Sequence, residues 1–308
     1  MRIVILDSAT FGDTDLGGFS DLGEVEVYQT TSADETADRV KEADVVVTNK
    51  VVIDAAVMDA AGRLKLICVA ATGTNNVDLA YAAQKEITIK NVAGYSTDSV
   101  VQHTFSMLFY LMGHSRYYDE YVKSGEWQKS SVFTHVAKPF FELKGKRWGI
   151  IGLGQIGRGV ANIAKAFGAE VVYYSTSGKN NNSDYEQISF TKLLETCDII
   201  TIHAPLNAQT KNLVGHSEFL MLKDGAVLLN LGRGGIVTES ALAAIIDVKE
   251  IYVGLDVLEK EPMTIPHPLM NVEHKERLYI TPHIAWTSVE AREKLIASVI
   301  ENIESTFK

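Results

Sequence analysis

The stretch that most limits what this chain can fold into is RWGIIGLGQIGRGVANIAKAFG, Arg147 to Gly168. A short apolar run leads into Gly152, Gly154 and Gly157, and a helical pattern continues to Phe167. Glycines at this spacing have separate uses: Gly152 permits a tight turn, Gly154 lets a pyrophosphate approach the backbone, and Gly157 lets helix and strand pack closely. The amides around Gln155 and Ile156 would then face the phosphates at the positive end of the helix. The spacing alone is common in turns, but a strand before it and a helix after it mark a dinucleotide site. A motif that usually opens a domain here stands halfway along 308 residues.

The flanking sequence accounts for that position. RIVILD, VEVYQT, DVVVTN, LKLICVA and ITIKNV fall within the first 92 residues, and RWGIIG, EVVYYS, DIITIHA, AVLLNLG, YVGLDV and LYITPH follow later. Short β-branched runs alternating with helical patterns predict parallel sheets wrapped by helices. The expectation is therefore two α/β units, both doubly wound parallel sheets, with the motif at Gly152 opening the second. Thr97 to Tyr118 reads as one long helix with an apolar face from Val100, Val101, Thr104, Phe105, Leu108 and Leu111. Ser288 to Phe307 is a second long helical pattern. Ser124 to Gly145 is aromatic and aperiodic, too long for a simple turn, and reads as an arm used in association.

Composition narrows the partners. With 46% hydrophobic residues the chain can bury a core in each unit. A formal charge of -10, without a basic run, argues against a nucleic-acid surface and for small-molecule partners. A run of only four apolar residues, Ile3 to Leu6, precedes Asp7, and the longest apolar stretch, Val100 to Met112, is broken by Gln102 and His103, so neither an export signal nor a membrane span is expected. Cys68 and Cys197 stand apart beside apolar runs, without metal-ligand spacing, and read as buried thiols of a cytoplasmic protein; no metal site is expected.

The residues suited to chemistry end strands of the second unit, at the edge where doubly wound sheets bind ligands. In NLGRGG, Arg233 sits between glycines directly after a buried strand. A guanidinium fork suits a 2-keto acid, since it binds the carboxylate through parallel hydrogen bonds and still donates to the carbonyl. His283 follows Pro282 at the end of the last strand, and Glu261 precedes Pro262 after the strand before it. Reduction of a carbonyl by hydride needs a proton donor, and imidazole has a suitable intrinsic pKa. The plainer alternatives are a solvated arginine, a core histidine and a surface carboxylate in the acidic run LEKEP. The acid that usually ends the next strand and grips the ribose 2′-hydroxyl is missing, because VVYYSTSGKN offers Ser175 and Thr176 there, followed by Lys179. NAD stays slightly ahead because no arginine stands in place, and NADP is left open by Ser175; Lys179 also reads as a solvated loop charge.

Taken together, GLGQIG, HAPLNAQT, NLGRGG, GLDVLEKEP and TPHIAW resemble the D-isomer-specific 2-hydroxyacid dehydrogenase family over essentially the whole chain. The resemblance implies that Arg233, Glu261 and His283 are the catalytic residues and that Asp256 holds the nicotinamide carboxamide. It implies that His203, Ala204, Pro205 and Thr210 line the adenine ribose, beside Leu231 and Gly232. It further implies a Rossmann nucleotide-binding domain, residues 98–285, inserted into a flavodoxin-like substrate domain of residues 1–97 and 286–308, with the active site between the two bodies and a homodimer built on the arm. ATGTNNVDL matches the family's glycine-containing loop, so Thr72, Gly73 and Thr74 are expected to take the substrate carboxylate beside Arg233.

Within the family, AATGTNNVDL, GYSTDSVVQHT and TPHIAW look most like the glycerate dehydrogenases, also called hydroxypyruvate reductases. Trp286 could close over a small hydroxymethyl group or equally pack at a hinge. D-lactate and glyoxylate activities stay open, because one small group in a pocket changes affinity by only about 1 to 3 kcal/mol. So does a co-repressor-like protein that uses the cofactor as a sensor.

Overall fold

Runs of four residues build the first sheet, and the three central ones, RIVI, VVVT and LICV, are largely buried on both faces. In the computed structural model, which describes residues 1–179 and 182–308, strands β1 (Arg2–Ile5), β2 (Glu24–Val27), β3 (Val45–Thr48), β4 (Leu66–Val69) and β5 (Thr88–Asn91) pair in parallel in the order β2-β1-β3-β4-β5. Alternate residues serve opposite sides. Ile3, Ile5, Val45, Val47, Leu66 and Cys68 pack against Leu295, Ile296, Val299 and Ile303 of the C-terminal helix. Val4, Leu6, Val46, Ile67 and Val69 pack against Val40 of α1 (Ala33–Val40), Val57 and Met58 of α2 (Ala55–Ala60) and Ala82 of α3 (Leu79–Gln84). Covering both faces is what a parallel sheet requires, and it explains why these strands read as continuous apolar runs. Helix starts are set locally: Asp54 accepts from the Val57 amide at 3.0 Å and Asp78 from the Tyr81 amide at 2.9 Å. These elements form one compact unit, Met1–Ser96 with Trp286–Lys308.

The second unit, Thr97–Ala285, lies between those two segments in sequence. Its strands are β6 (Arg147–Ile151), β7 (Glu170–Tyr174), β8 (Glu186–Gln187), β9 (Ile199–Ile202), β10 (Ala226–Asn230), β11 (Ile251–Leu255) and β12 (Leu278–Ile280). They form a parallel sheet in the order β12-β11-β10-β9-β6-β7-β8. The order reverses between β6 and β9, which makes the carboxyl ends of those strands the switch point of a doubly wound fold. One face is filled from α7 (Phe190–Thr196), α8 (His216–Met221) and α9 (Glu239–Ile245) through Leu193, Leu194, Phe219, Leu242 and Ile245. The other carries α4 (Thr97–Met112) and α6 (Gln155–Ala166): the Phe105 ring lies 5.2 Å from Trp148, and Val101 fills the space beside Gly159. The chain ends in α10 (Val289–Phe307), started by Ser288, whose hydroxyl accepts from the Ala291 amide at 3.2 Å.

The single helix expected over Thr97 to Tyr118 is two helices. The Gly113 amide closes the last turn of α4 on the Phe109 carbonyl at 2.9 Å, His114 takes a left-handed backbone at φ 47°, and α5 (Ser115–Lys123) starts after it. A glycine followed by a left-handed residue is a helix stop. The continuing apolar period hid it. β8 left no period because it is two polar residues long. Beyond α5 the arm leaves large apolar side chains in solvent, including Phe133, 89% exposed, and Val136, 84% exposed. Phe140 and Phe141 of the arm share a cavity of about 450 Å³ with Phe109 and Phe167.

Both cysteines are free and buried, and burial pushes their thiols up, Cys68 to about 12 and Cys197 to about 11. Neither supplies a thiolate at neutral pH. Among the described residues no helix is long and apolar enough to cross a membrane, and no group of histidines, cysteines and acids has metal-binding geometry.

Trp148 is fully buried and donates from Nε1 to Thr201 Oγ1 at 3.1 Å. Trp148→Ala is expected to cost about 3–5 kcal/mol through the cavity it opens. A urea-unfolding midpoint within error of the parent would contradict this packing.

Candidate active site

Three backbone turns abut at the carboxyl edge of the second sheet. A Cβ on Gly152, after β6, would lie 2.9 Å from the Ala204 nitrogen after β9, and one on Gly232, after β10, would lie 2.7 Å from the Ala204 carbonyl oxygen. Gly152 also holds φ at 93°, a value side chains resist. A Cβ on Gly157 would fall 2.4 Å from the Gly152 carbonyl oxygen, so α6 presses directly on the turn. Gly154 differs: nothing lies within 4 Å of its missing side chain. α6 begins there without a side-chain cap, leaving the first amides, at Gln155 and Ile156, for an external acceptor. A tight turn, an open glycine and an uncapped helix start suit a pyrophosphate.

The surroundings of that turn are uneven in polarity. At the end of β7, Ser175 is buried and Thr176 half-buried, and the first acid after them is Asp184. No carboxylate therefore follows the strand where a ribose diol would be gripped. His203 donates its backbone amide to the Ile151 carbonyl at 2.8 Å, but both its ring nitrogens are shielded from solvent and have no hydrogen-bond partner among the described residues. The residue as a whole keeps part of its surface accessible. Burial alone holds its pKa down to about 3. A neutral imidazole with unused polar atoms thus stands close to the glycine turn, an arrangement that buried polar groups rarely adopt. Ala204 is buried, and Pro205 is exposed. Thr210 is fully buried, its hydroxyl donating to the Pro205 carbonyl at 2.6 Å and accepting from the Asn207 amide at 2.9 Å, so it shapes the turn from within.

Arg233 stands on the next turn. Asn230 clamps that turn from both sides: its Nδ2 donates to the Arg233 carbonyl at 2.9 Å and its Oδ1 accepts from the Gly232 amide at 3.1 Å. Leu231 is buried beneath, its amide donating to the Ile202 carbonyl at 3.3 Å. The Arg233 guanidinium is half-buried and donates to the Gly232 carbonyl at 2.8 Å; among the described residues it forms no ion pair. A cation in that state is a ready anchor for an anion.

His283 and Glu261 meet. His283 Nδ1 lies 2.7 Å from Glu261 Oε2, and Glu261 Oε1 accepts from the Leu258 amide at 3.0 Å. The carboxylate fixes the proton on Nδ1, so Nε2 is the nitrogen left to exchange a proton with a ligand. Their side chains are 23% and 33% exposed, enough for access from solvent. His283 has a left-handed backbone at φ 54°, which costs a residue of its kind about 1 kcal/mol or more. Asp256 holds it there. Its carbonyl accepts from the His283 amide at 2.9 Å, its Oδ1 from the Thr281 hydroxyl at 2.7 Å and the Ile284 amide at 2.8 Å, and its Oδ2 from the Ala285 amide at 3.0 Å. His103 of α4 reaches the same network, its Nε2 lying 3.3 Å from Thr281 Oγ1, with its pKa lowered by burial and partly restored by Asp256. Three acceptor positions on Asp256 are taken and one remains on Oδ2.

In the other unit, Thr72, Gly73 and Thr74 follow β4. The Thr72 hydroxyl donates to the Val92 carbonyl at 3.1 Å and the Asn91 side chain donates to the Thr72 carbonyl at 2.6 Å, while the three amides donate to nothing among the described residues. Trp286 lies edge-on to Tyr95, with ring centroids 6.1 Å apart, on the core beside α10. The sequence reading missed Asn230 and His103. His103 left one trace, as a polar break in an apolar helix; Asn230 needed the fold.

The model of the D-isomer specific 2-hydroxyacid dehydrogenase NAD-binding domain matches residues 105–285. A hydroxypyruvate reductase of Blautia hydrogenotrophica is 34% identical over 100% of this chain and 97% of its own. A glyoxylate reductase of Thermococcus litoralis is 34% identical over 86% of this chain and 81% of its own. Among solved structures, an acyclic imino acid reductase in complex with NADPH and D-Arg superposes with a TM-score of 0.86 at 31% identity, covering 100% of this chain and 97% of that one.

The buried His203 has a stability consequence. With a folded-state pKa of about 3, it stays neutral at acidities where the unfolded chain, titrating near 6.5, takes up a proton. Its contribution is complete above pH ~6.5 and falls by ~1.4 kcal/mol per pH unit below that, down to pH ~3. Between pH 7.5 and 5 the parent is expected to lose about 2 kcal/mol more unfolding free energy than His203→Gln. Equal losses in denaturant titrations at the two pH values would show that the imidazole is not held neutral.

Proposed function

Because this chain belongs to the D-isomer specific 2-hydroxyacid dehydrogenase family, we propose that it reduces hydroxypyruvate to D-glycerate, with His283 as proton donor, Glu261 as its orienting partner and Arg233 as anchor of the substrate carboxylate. The observation that carries the reading is the 2.7 Å contact between His283 Nδ1 and Glu261 Oε2, which leaves Nε2 for the substrate oxygen. A nicotinamide cofactor, when bound, supplies the hydride to C2. The residues of the chain do the rest. Arg233, without an ion pair among the described residues, takes the carboxylate and polarises the keto group, and His283 gives its Nε2 proton to the oxygen as charge develops there. In the reverse direction the neutral Nε2 accepts the hydroxyl proton.

Residues 98–285 form the nucleotide-binding domain in this reading, and residues 1–97 with 286–308 the substrate domain. Gly152, Gly154, Gln155, Ile156 and Gly157 would hold the pyrophosphate, with His203, Ala204, Pro205, Leu231 and Gly232 around the adenosine half and Asp256 at the carboxamide. NAD is the favoured form because no arginine follows β7, and NADP is accepted because Ser175 and Thr176 stand where a carboxylate would repel a 2′-phosphate. Hydroxypyruvate is preferred to glyoxylate on the strength of the relative similar over the whole chain. The exposed Phe133, Val136, Phe140 and Phe141 support a homodimer through the arm. Two free, buried thiols suit a cytoplasmic setting.

Loss of nicotinamide absorbance with hydroxypyruvate, glyoxylate and pyruvate, read with NADH and NADPH in parallel, tests the substrate and the cofactor together. The expected order is hydroxypyruvate first, with NADH better than NADPH and both active. His283→Ala should lower kcat by about 10²–10⁴-fold while leaving NADH affinity near the parent value. Activity near the parent level in that variant would remove His283 from the mechanism. Light scattering should give twice the 33.8 kDa chain mass, and the arm reading fails if the protein is a monomer at micromolar concentration.

A further inference from the structure

Glu239 and His267 form a buried pair outside the residues considered so far. His267 Nε2 lies 2.9 Å from Glu239 Oε2, and their side chains are only 6% and 9% exposed. The proton assignment follows from the neighbours. His267 Nδ1 accepts from the Leu269 amide at 3.3 Å, so Nε2 carries the hydrogen and donates it to Glu239. The second oxygen of Glu239, Oε1, accepts from the Glu259 amide, and the Glu259 carboxylate in turn accepts from the Glu239 amide at 3.4 Å.

The position of that amide matters. Leu258 and Glu259 are consecutive, and their two N–H groups are taken by two different carboxylates, Leu258 by Glu261 at 3.0 Å and Glu259 by Glu239. The Leu258 carbonyl is pinned from a third side, since a Cβ on Gly234 would lie 1.7 Å from its oxygen. The turn from which Glu261 hangs is thus fixed by α9, where Glu239 is the first residue, and by the Gly234 turn that follows Arg233. His267 holds one oxygen of the Glu239 carboxylate while the other reaches the Glu259 amide.

We propose that Glu239 and His267 are positioning residues for the Glu261–His283 pair: they set the 258–261 turn so that Glu261 Oε2 meets His283 Nδ1. This rests on the reading of His283 as proton donor. Neither residue touches the reacting atoms, so their loss should act on the proton-transfer step and spare cofactor binding.

The test uses the whole enzyme with the best 2-keto acid and NADH. His267→Asn keeps an acceptor for the Leu269 amide but is too short to reach Glu239; His267→Gln places an N–H donor where Nε2 was. Glu239→Ala removes the acceptor altogether. Expected are at least tenfold losses of kcat in His267→Asn and Glu239→Ala, with the KM for NADH within twofold of the parent. The solvent deuterium isotope effect on kcat should rise in both, because proton transfer becomes more rate-limiting, and His267→Gln should recover most of the kcat lost in His267→Asn.

Unchanged kcat and isotope effect in folded His267→Asn and Glu239→Ala would overturn the inference. So would a kcat loss that comes with an equal loss of NADH affinity and no rise in the isotope effect, which is the mark of general loosening. If Glu239→Ala fails to fold, the comparison of His267→Asn with His267→Gln decides alone. His283→Ala in the same assay separates the two levels: an active His283→Ala sinks the donor assignment itself, whereas an inactive one beside parent-like His267→Asn and Glu239→Ala sinks only the positioning role.

Discussion

Everything at the candidate site depends on how closely bare backbone can approach bare backbone at one edge of the second sheet. Gly152, Gly232 and Gly234 each occupy a place where a single added carbon would fall within 3 Å of a neighbouring turn. Those contacts draw together the turns after β6, β9 and β10 and press the last of them on the turn after β11. Side chains on adjacent parallel strands are otherwise spread along the sheet edge at intervals of about 4.8 Å. Removing the side chains at the crossing points lets the residues between them share one surface.

The site also keeps polar groups under tension that the rest of the fold avoids. Among the described residues Arg233 carries its charge half-buried without an ion pair and His203 hides two unpartnered nitrogens, and His283 sits in a left-handed backbone. Each is unfavourable by itself, and two of them rest on hydrogen-bonded neighbours: Asn230 under Arg233, the Asp256 carboxylate with its three donors under His283. Several hydrogen bonds made to one side chain fix such geometry, because moving it would break them together. Asp256 therefore has a structural use, as the anchor of the His283 loop, that does not depend on a ligand.

The two sheets were legible in the sequence because parallel strands buried on both faces leave short, dense apolar runs, and each of the eleven runs quoted from it coincides with a strand. The errors fell where that signal is absent or misleading. β8, a polar pair, has no period to detect, and the break between α4 and α5 was masked by apolar spacing that continues across Gly113 and His114. The glycine motif was legible for a different reason: its requirements are steric, and steric needs appear directly as missing side chains.

From its amino acids alone this chain determined two α/β units, a dinucleotide turn at Gly152 to Gly157, and the residue types that end the strands at Arg233, Glu261 and His283. Those are local matters, decided by period, by glycine and by a residue's place after a strand. Partners were decided only in three dimensions. That Glu261 meets His283 rather than solvent, that Asp256 carries the His283 loop and that Glu239 finds His267 are contacts between residues 22 to 28 positions apart. Nothing local fixes such pairs, because a hydrogen bond needs two groups within about 3 Å and only the packed sheet edge brings them there.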